Sequence, residues 1–120
     1  MIFSNAEVQK ENLLEVIRQA LVFGSVNMKD DPCQRLLQHL VIFLDAQNMQ
    51  SEITFTVYVS SPGDWYVIKI GWMEEEEYGR TYRVNEFQTR PSPLLEFMLD
   101  SLGLSSFTLG SKADTSTSSK

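Results

Sequence analysis

The sequence is poor in the side chains from which most catalytic and metal sites are built. Its 120 residues contain one cysteine and one histidine, which excludes an internal disulfide and a zinc site of Cys and His ligands. Basic residues are also scarce, because 10 Lys and Arg stand against 16 Asp and Glu, for a net charge of −6. Proteins that bind nucleic acid through its phosphates carry the opposite balance, so the composition disfavours nucleic acid as a partner.

Long apolar runs are missing as well. The longest, residues 40–44, is far shorter than the roughly 20 residues of a membrane-spanning helix, and we expect no membrane insertion. Residues 1–5 lack the basic and apolar regions of a signal peptide, and a lone Cys33 suits a reducing compartment. These features predict a cytoplasmic protein, or one that a partner carries to the compartment where it acts.

Apolar residues at helical spacing predict two N-terminal helices. The first covers 7–23, with Ser4 or Asn5 as its cap and Gly24 as its stop. The second begins at residues 30–32, where two aspartates precede a proline, and ends near Asn48.

Three strands are predicted next. Residues 53–59 alternate strictly between apolar and polar or aromatic side chains, and residues 61–64 form a turn to a second strand at 65–72. A solvated loop at 73–79 then leads to a weaker strand at 80–88, on which Tyr82 and Val84 share a face.

A third helix follows, with Ser92 as its cap, Pro93 at its first position and Gly103 as its end. The expected class is α+β: two N-terminal helices, a three-stranded antiparallel meander and a C-terminal helix packed on one sheet face. Residues 1–109 are assigned to this single domain, and the Ser/Thr-rich residues 110–120 to a disordered tail.

The sequence contains none of the motifs that mark common catalytic or cofactor-binding sites. Cys33 and His39 lie six positions apart on one predicted helix, about 120° apart around its axis, so they cannot form a catalytic pair. No phosphate-binding loop, cofactor fingerprint or nucleophile elbow is present, and we expect neither a cofactor nor a bound metal. Enzymatic activity is disfavoured, although catalytic groups can also meet in space without a motif.

Two groups of residues are candidates for binding a partner. The first lies on the outward face of the sheet, where aromatic and basic side chains suit a protein interface and, less well, single-stranded nucleic acid; it comprises Tyr58, Trp65, Val67, Lys69 and Arg83. The second is an acidic run that suits contact with a basic protein; it comprises Glu74, Glu75, Glu76 and Glu77. The alternatives are packing within the fold for the aromatic residues and a solvated loop for the glutamates.

The predicted order of elements resembles a double-stranded-RNA-binding domain. That family carries a lysine-rich motif at the start of its last helix, whereas residues 90–96 here read Arg-Pro-Ser-Pro-Leu-Leu-Glu, and the family's function is not implied. In size, acidity and open sheet the chain also resembles bacterial secretion chaperones, without a shared motif.

The function expected from the sequence is a non-enzymatic protein–protein interaction module. It would be a small acidic regulatory, adaptor or chaperone-like subunit, bound to a protein partner or to itself as a homodimer, because three strands leave two edges and one face open. The alternative is a small-ligand-binding domain with a pocket between helices and sheet, to which Tyr66, Trp72 and Tyr82 would contribute polar groups.

Overall fold

The computed structural model describes residues 3–49, 52–60 and 65–104. The elements are β1 (Phe3–Val8), α1 (Lys10–Asn27), α2 (Cys33–Ala46), β2 (Ile53–Val59), β3 (Tyr66–Glu76), β4 (Gly79–Thr89) and α3 (Pro93–Ser101). The α+β class is therefore confirmed, but the sheet has four strands, in the order β1-β2-β3-β4, with every neighbouring pair antiparallel. The predicted turn at 61–64 and the residues from 105 onward lie outside the described residues.

The first strand is the element that the sequence prediction missed. Residues that looked like a helix cap form β1, which pairs with β2 from Phe3–Tyr58 to Val8–Ile53. Helix α1 starts only after it, behind Gln9, whose backbone is extended and whose side chain makes no capping hydrogen bond. The six-residue pairing with the edge of β2 outweighs the local capping pattern, because each strand residue gains ladder hydrogen bonds there.

Gly24 does not end the first helix. It lies buried inside α1, and a Cβ built on it would come within 3.0 Å of both the Gln34 and the Leu94 side chains. The glycine therefore permits a close approach of α2 and α3 to α1, and its role is packing instead of termination.

The third helix has the ends that the sequence predicts. The Ser92 Oγ accepts a hydrogen bond from the Leu95 backbone N–H at 3.0 Å, and Pro93 occupies the first turn. At the other end, Gly103 adopts a φ of 81°, and the Leu104 N–H donates to the Leu99 carbonyl at 2.8 Å. Such a bond closes the last turn of a helix that ends at a left-handed residue.

The three helices pack on one face of the sheet, here named the inner face. The strand side chains on this face are buried, as in Phe55 and Ile70, which oppose each other in the register of β2 and β3. Together with the apolar stripes of the helices they form a single core; its fully buried larger members are Leu13, Ile17, Leu37, Leu40, Leu44, Ile53, Phe55, Ile68, Ile70, Leu94, Leu95 and Met98.

Candidate functional site

The opposite face of the sheet, here named the outer face, is covered by none of the described helices. Because side chains alternate along a strand and opposed residues share a face, the register assigns its members. They include Thr54, Thr56, Tyr58, Val67, Lys69, Gly71, Met73, Arg80, Tyr82, Val84 and Glu86. This face is the surface on which the sequence analysis placed a partner.

The structure brings together three of the five predicted partner-binding residues. Tyr58, Val67 and Lys69 are neighbours on the outer face, and the Lys69 Nζ lies 5.5 Å from the centroid of the Tyr58 ring. Val67 is only 3% exposed, so its side chain packs within the fold and offers little area for contact with a partner. Trp65 precedes β3 and is 38% exposed, with the Arg90 guanidinium 4.6 Å above its ring.

Arg83 does not belong to this surface. It opposes Trp72 in the register and therefore points to the inner-face side of the sheet. There its guanidinium donates to the Glu74 carboxylate and, at 3.0 Å, to that of Glu76. The hydrogen bond and the charge of Glu74 raise the already high pKa of Arg83, so the guanidinium stays charged. Its hydrogen bonds go to glutamates of the same chain.

The acidic run was predicted to be a solvated loop, and this prediction was wrong. The run forms the end of a long hairpin. Glu74, Glu75 and Glu76 belong to β3, and a two-residue turn at Glu77 and Tyr78 leads into β4. Cross-strand pairing to arginines compensates the like charges that would otherwise oppose strand formation, and Arg80 pairs with Glu75 at 2.9 Å. Four glutamates and two arginines leave this end of the hairpin with a net charge of −2.

The sequence analysis did not assign the most exposed apolar side chains of the outer face to the partner-binding surface. Met73 is 38%, Tyr82 54% and Val84 49% exposed, and the three are neighbours on β3 and β4. Tyr82 lies across Gly71, because a Cβ built on that glycine would clash with the Tyr82 hydroxyl oxygen. The shared face of Tyr82 and Val84 was predicted and is confirmed. Met73 was placed in the predicted loop at 73–79, so its position on the same face was not predicted.

Two of the three residues of the alternative ligand pocket, Trp72 and Tyr82, line one open cleft, whereas Tyr66 does not line it. Tyr66 and Trp72 lie on the inner face, six positions apart on β3 and thus about 20 Å from each other, whereas Tyr82 lies on the outer face. The cleft has a volume of about 430 Å³. Besides Trp72 and Tyr82, its lining includes Phe43, Gln47, Glu74, Arg83, Val84 and Asn85. The indole Nε1 of Trp72 is buried and has no hydrogen-bond partner among the described residues.

Cys33 and His39 form no catalytic pair, as their spacing predicts. Cys33 is fully buried at the start of α2, whereas His39 is exposed and packs edge-to-face on Phe87 at a centroid distance of 5.9 Å. Burial raises the pKa of the Cys33 thiol to about 12, and hydrogen bonds to Ser92 and Thr89 offset only part of this effect. A thiol that stays protonated is a poor nucleophile.

The buried thiol predicts a specific alkaline sensitivity. The folded state holds the Cys33 proton up to a pH of about 12, but the unfolded state releases it near 9.0, so stability is complete below pH 9 and falls above it. We expect urea denaturation to show an extra loss of about 1–2 kcal/mol in the free energy of unfolding between pH 8 and 10.5. Cys33→Ala should lack this extra loss, and equal slopes in both proteins would contradict the prediction.

No protein-family model, curated protein or solved structure matches the chain. In the described part of the chain, no helix has the length and apolarity to cross a membrane. Residues 3–49, 52–60 and 65–104 also contain no group of three His, Cys, Asp or Glu side chains placed to hold a metal ion.

Proposed function

We propose that the protein is a non-enzymatic protein–protein interaction module, a small regulatory, adaptor or chaperone-like subunit that binds through the outer face of its sheet. The observation that supports this proposal is the group of exposed Met73, Tyr82 and Val84 on a face that no described helix covers. Exposed apolar groups with an aromatic member are typical of interaction surfaces, where Tyr, Trp and Arg supply much of the binding energy.

The far end of the same face supplies the polar and aromatic part of the proposed surface. Tyr58 is half-buried beneath Lys69, and Trp65 is held under Arg90, so both rings are already ordered before a partner arrives. Ordered rings lose little conformational entropy on binding, which favours affinity. The glutamates at the hairpin end are largely paired with arginines of the same hairpin. The remaining negative charge of this end is modest and favours partners that carry a positive charge.

Replacing Tyr58 and Trp65 together by serine should weaken association with the partner by at least about tenfold, equivalent to ~1.4 kcal/mol, while the monomer stays folded. The measurement is quantitative affinity purification of tagged wild-type and variant proteins from cell extract, with thermal unfolding followed by circular dichroism.

The matched control removes exposed apolar surface elsewhere. Val22 and Ile42 lie on α1 and α2 and are 67% and 68% exposed, so Val22→Ser with Ile42→Ser changes as many side chains on the helical side. This control should retain the partner. Unfolding of the Tyr58 and Trp65 variant would place the two rings in the core, and equal partner loss in both double variants would reject the outer face.

Small-ligand binding is the second candidate function. The cleft beside Trp72 favours it, because a ligand acceptor that reached the indole Nε1 would satisfy a buried donor that is costly to leave unpaired. Gln47 and the Tyr82 hydroxyl at the cleft wall would add further donors. A bound molecule in this cleft would appear as added mass on the intact protein.

A further inference from the structure

Strand β4 is a long and regular sheet edge, on which Arg80, Arg83 and Glu86 place charged side chains. Its eleven residues oppose β3 one for one, so it contains no bulge, and its sequence has neither proline nor lysine. Among the described strands only β3 pairs with it. Natural edge strands are normally shortened, bulged or interrupted by such residues, because a regular edge is a template for another strand.

The hairpin geometry shows which backbone groups of β4 face outward. A two-residue turn makes the flanking pair, Glu76 and Gly79, a hydrogen-bonded pair, and such pairs recur at every second residue. The odd-numbered residues of β4 therefore bond to β3. The N–H and C=O groups of the even-numbered residues, from Arg80 to Gln88, face the open edge.

The side chains of the same even-numbered residues form a self-complementary series. In order along the outer face they are Arg80, Tyr82, Val84 and Glu86: a cation, an aromatic ring, a branched aliphatic group and an anion. If two copies of β4 pair antiparallel about a two-fold axis at Arg83, the series of one copy runs in the opposite direction beside the series of the other. Arg80 then opposes Glu86 of the second copy, and Tyr82 opposes Val84 of the second copy, at both ends of the pairing.

We infer that β4 pairs antiparallel with β4 of a second copy of this chain, about a two-fold axis at Arg83, to form a continuous eight-stranded sheet. The inference rests on the proposed function and names a second copy as one partner of the interaction module. Both cross-strand combinations, Arg with Glu and Tyr with Val, are among the favourable ones in antiparallel sheets. The pairing also joins the exposed groups of two outer faces into one larger surface.

The opposite side of this pairing places the two Arg83 side chains across from each other. Each of them is bound to Glu74 and Glu76 of its own chain, so the approaching groups carry compensated charge. A register shifted to centre on Val84 would avoid this juxtaposition. It would, however, set Tyr82 against Glu86 and leave Arg80 without an anion across the interface.

Disulfide trapping tests the axis directly. Residues on the axis at 83 form a non-hydrogen-bonded pair with Cα atoms about 4.5 Å apart, within disulfide range, whereas the two residues at 84 lie diagonally at about 7–8 Å. In the full chain, Arg83→Cys should form covalent dimers under mild oxidation, and Val84→Cys should not. The native Cys33 is fully buried and does not interfere. Trapping of Val84→Cys alone, or of neither variant, would overturn the inference.

Proline substitution tests the edge in solution. The Val84 N–H faces outward, so Val84→Pro should raise the dissociation constant of the dimer at least about tenfold, measured by sedimentation equilibrium, without loss of β3–β4 hydrogen bonds. Gln88→Pro makes the same change beyond the paired centre and should leave the dimer intact. A wild-type monomer at all concentrations, or a dimer insensitive to Val84→Pro, would contradict β4 pairing.

These results separate the inference from the proposed function. The Tyr58 and Trp65 variant alters the outer face on β2 and before β3, at the far end of β4 from the pairing centre at Arg83. Loss of a heterologous partner in that variant, together with a monomeric wild type, would keep the proposed function and reject self-pairing. A chain that dimerises only after truncation at Leu104 would show that its own C-terminal segment covers β4, and would also reject self-pairing in the full chain.

Discussion

Replacing Phe55 by alanine lowers the free energy of unfolding by about 3–5 kcal/mol. Phe55 is a large and fully buried side chain of β2, and in the sheet register it stands between Ala6 of β1 and Ile70 of β3. Its removal takes apolar surface out of the core and leaves a cavity that strands on both sides and helices above cannot fill without moving. Urea denaturation followed by circular dichroism measures the change.

Thr56 provides the matched control for this substitution. It is the next residue of β2, but its side chain lies on the outer face and is partly exposed. Thr56→Val keeps the branched shape and should change the free energy of unfolding by no more than about 0.5 kcal/mol. A cost below about 1 kcal/mol for Phe55→Ala would show that the inner face is loosely packed, against the arrangement described above.

Replacing Asp31 by alanine costs about 2–4 kcal/mol, because its one carboxylate serves two helix starts. Its Oδ1 accepts a hydrogen bond from the Cys33 N–H at 2.8 Å, in the first turn of α2. Its Oδ2 accepts from the Leu94 N–H at 3.3 Å, in the first turn of α3. The substitution leaves both donors unpaired and removes a negative charge from two positive helix ends.

The neighbouring Asp30 separates this role from a simple loss of charge. It is exposed, and Asp30→Ala should cost no more than about 0.5 kcal/mol in the same denaturation experiment. Asp31→Asn keeps one acceptor oxygen and should fall between the two alanine variants. Equal effects of Asp30→Ala and Asp31→Ala would show that the double cap does not stabilise the fold.

Elements whose local pattern agrees with their packing could be predicted from the sequence. The strict alternation of residues 53–59 corresponds to β2 (Ile53–Val59), with its apolar members buried on the inner face. The cap at Ser92 and the end at Gly103 are likewise set by backbone groups within a few residues of each other. Local hydrogen bonding and periodicity suffice in these places.

Elements that depend on distant partners could not be predicted. The pattern of residues 3–8 resembles a helix start, and only pairing with β2, some 50 residues away, makes it a strand. The glutamates of β3 look like a solvated loop until Arg80 and Arg83 return on the opposite strand. Gly24 ends a helix by local rules but permits helix contact in the fold.

The candidate site was predicted in outline only. Alternation along β3 correctly grouped Val67 and Lys69, and β2 added Tyr58 beside them. The assignment of Arg83 to the same surface was wrong, because the true register pairs it with Trp72 on the other side of the sheet. A periodic pattern also cannot predict how exposed each side chain of a face is. Val67 is buried on the outer face, whereas the side chains of Met73, Tyr82 and Val84 are exposed.

Native mass spectrometry of the full chain, at low and moderate salt, tests the central proposal most directly. If the protein acts through the outer face and edge of its sheet, the spectrum contains assemblies of this chain with itself or with another protein, and no additional small-molecule mass. A monomer with a reproducible added mass of a few hundred daltons would contradict the interaction proposal and favour a ligand in the cleft beside Trp72.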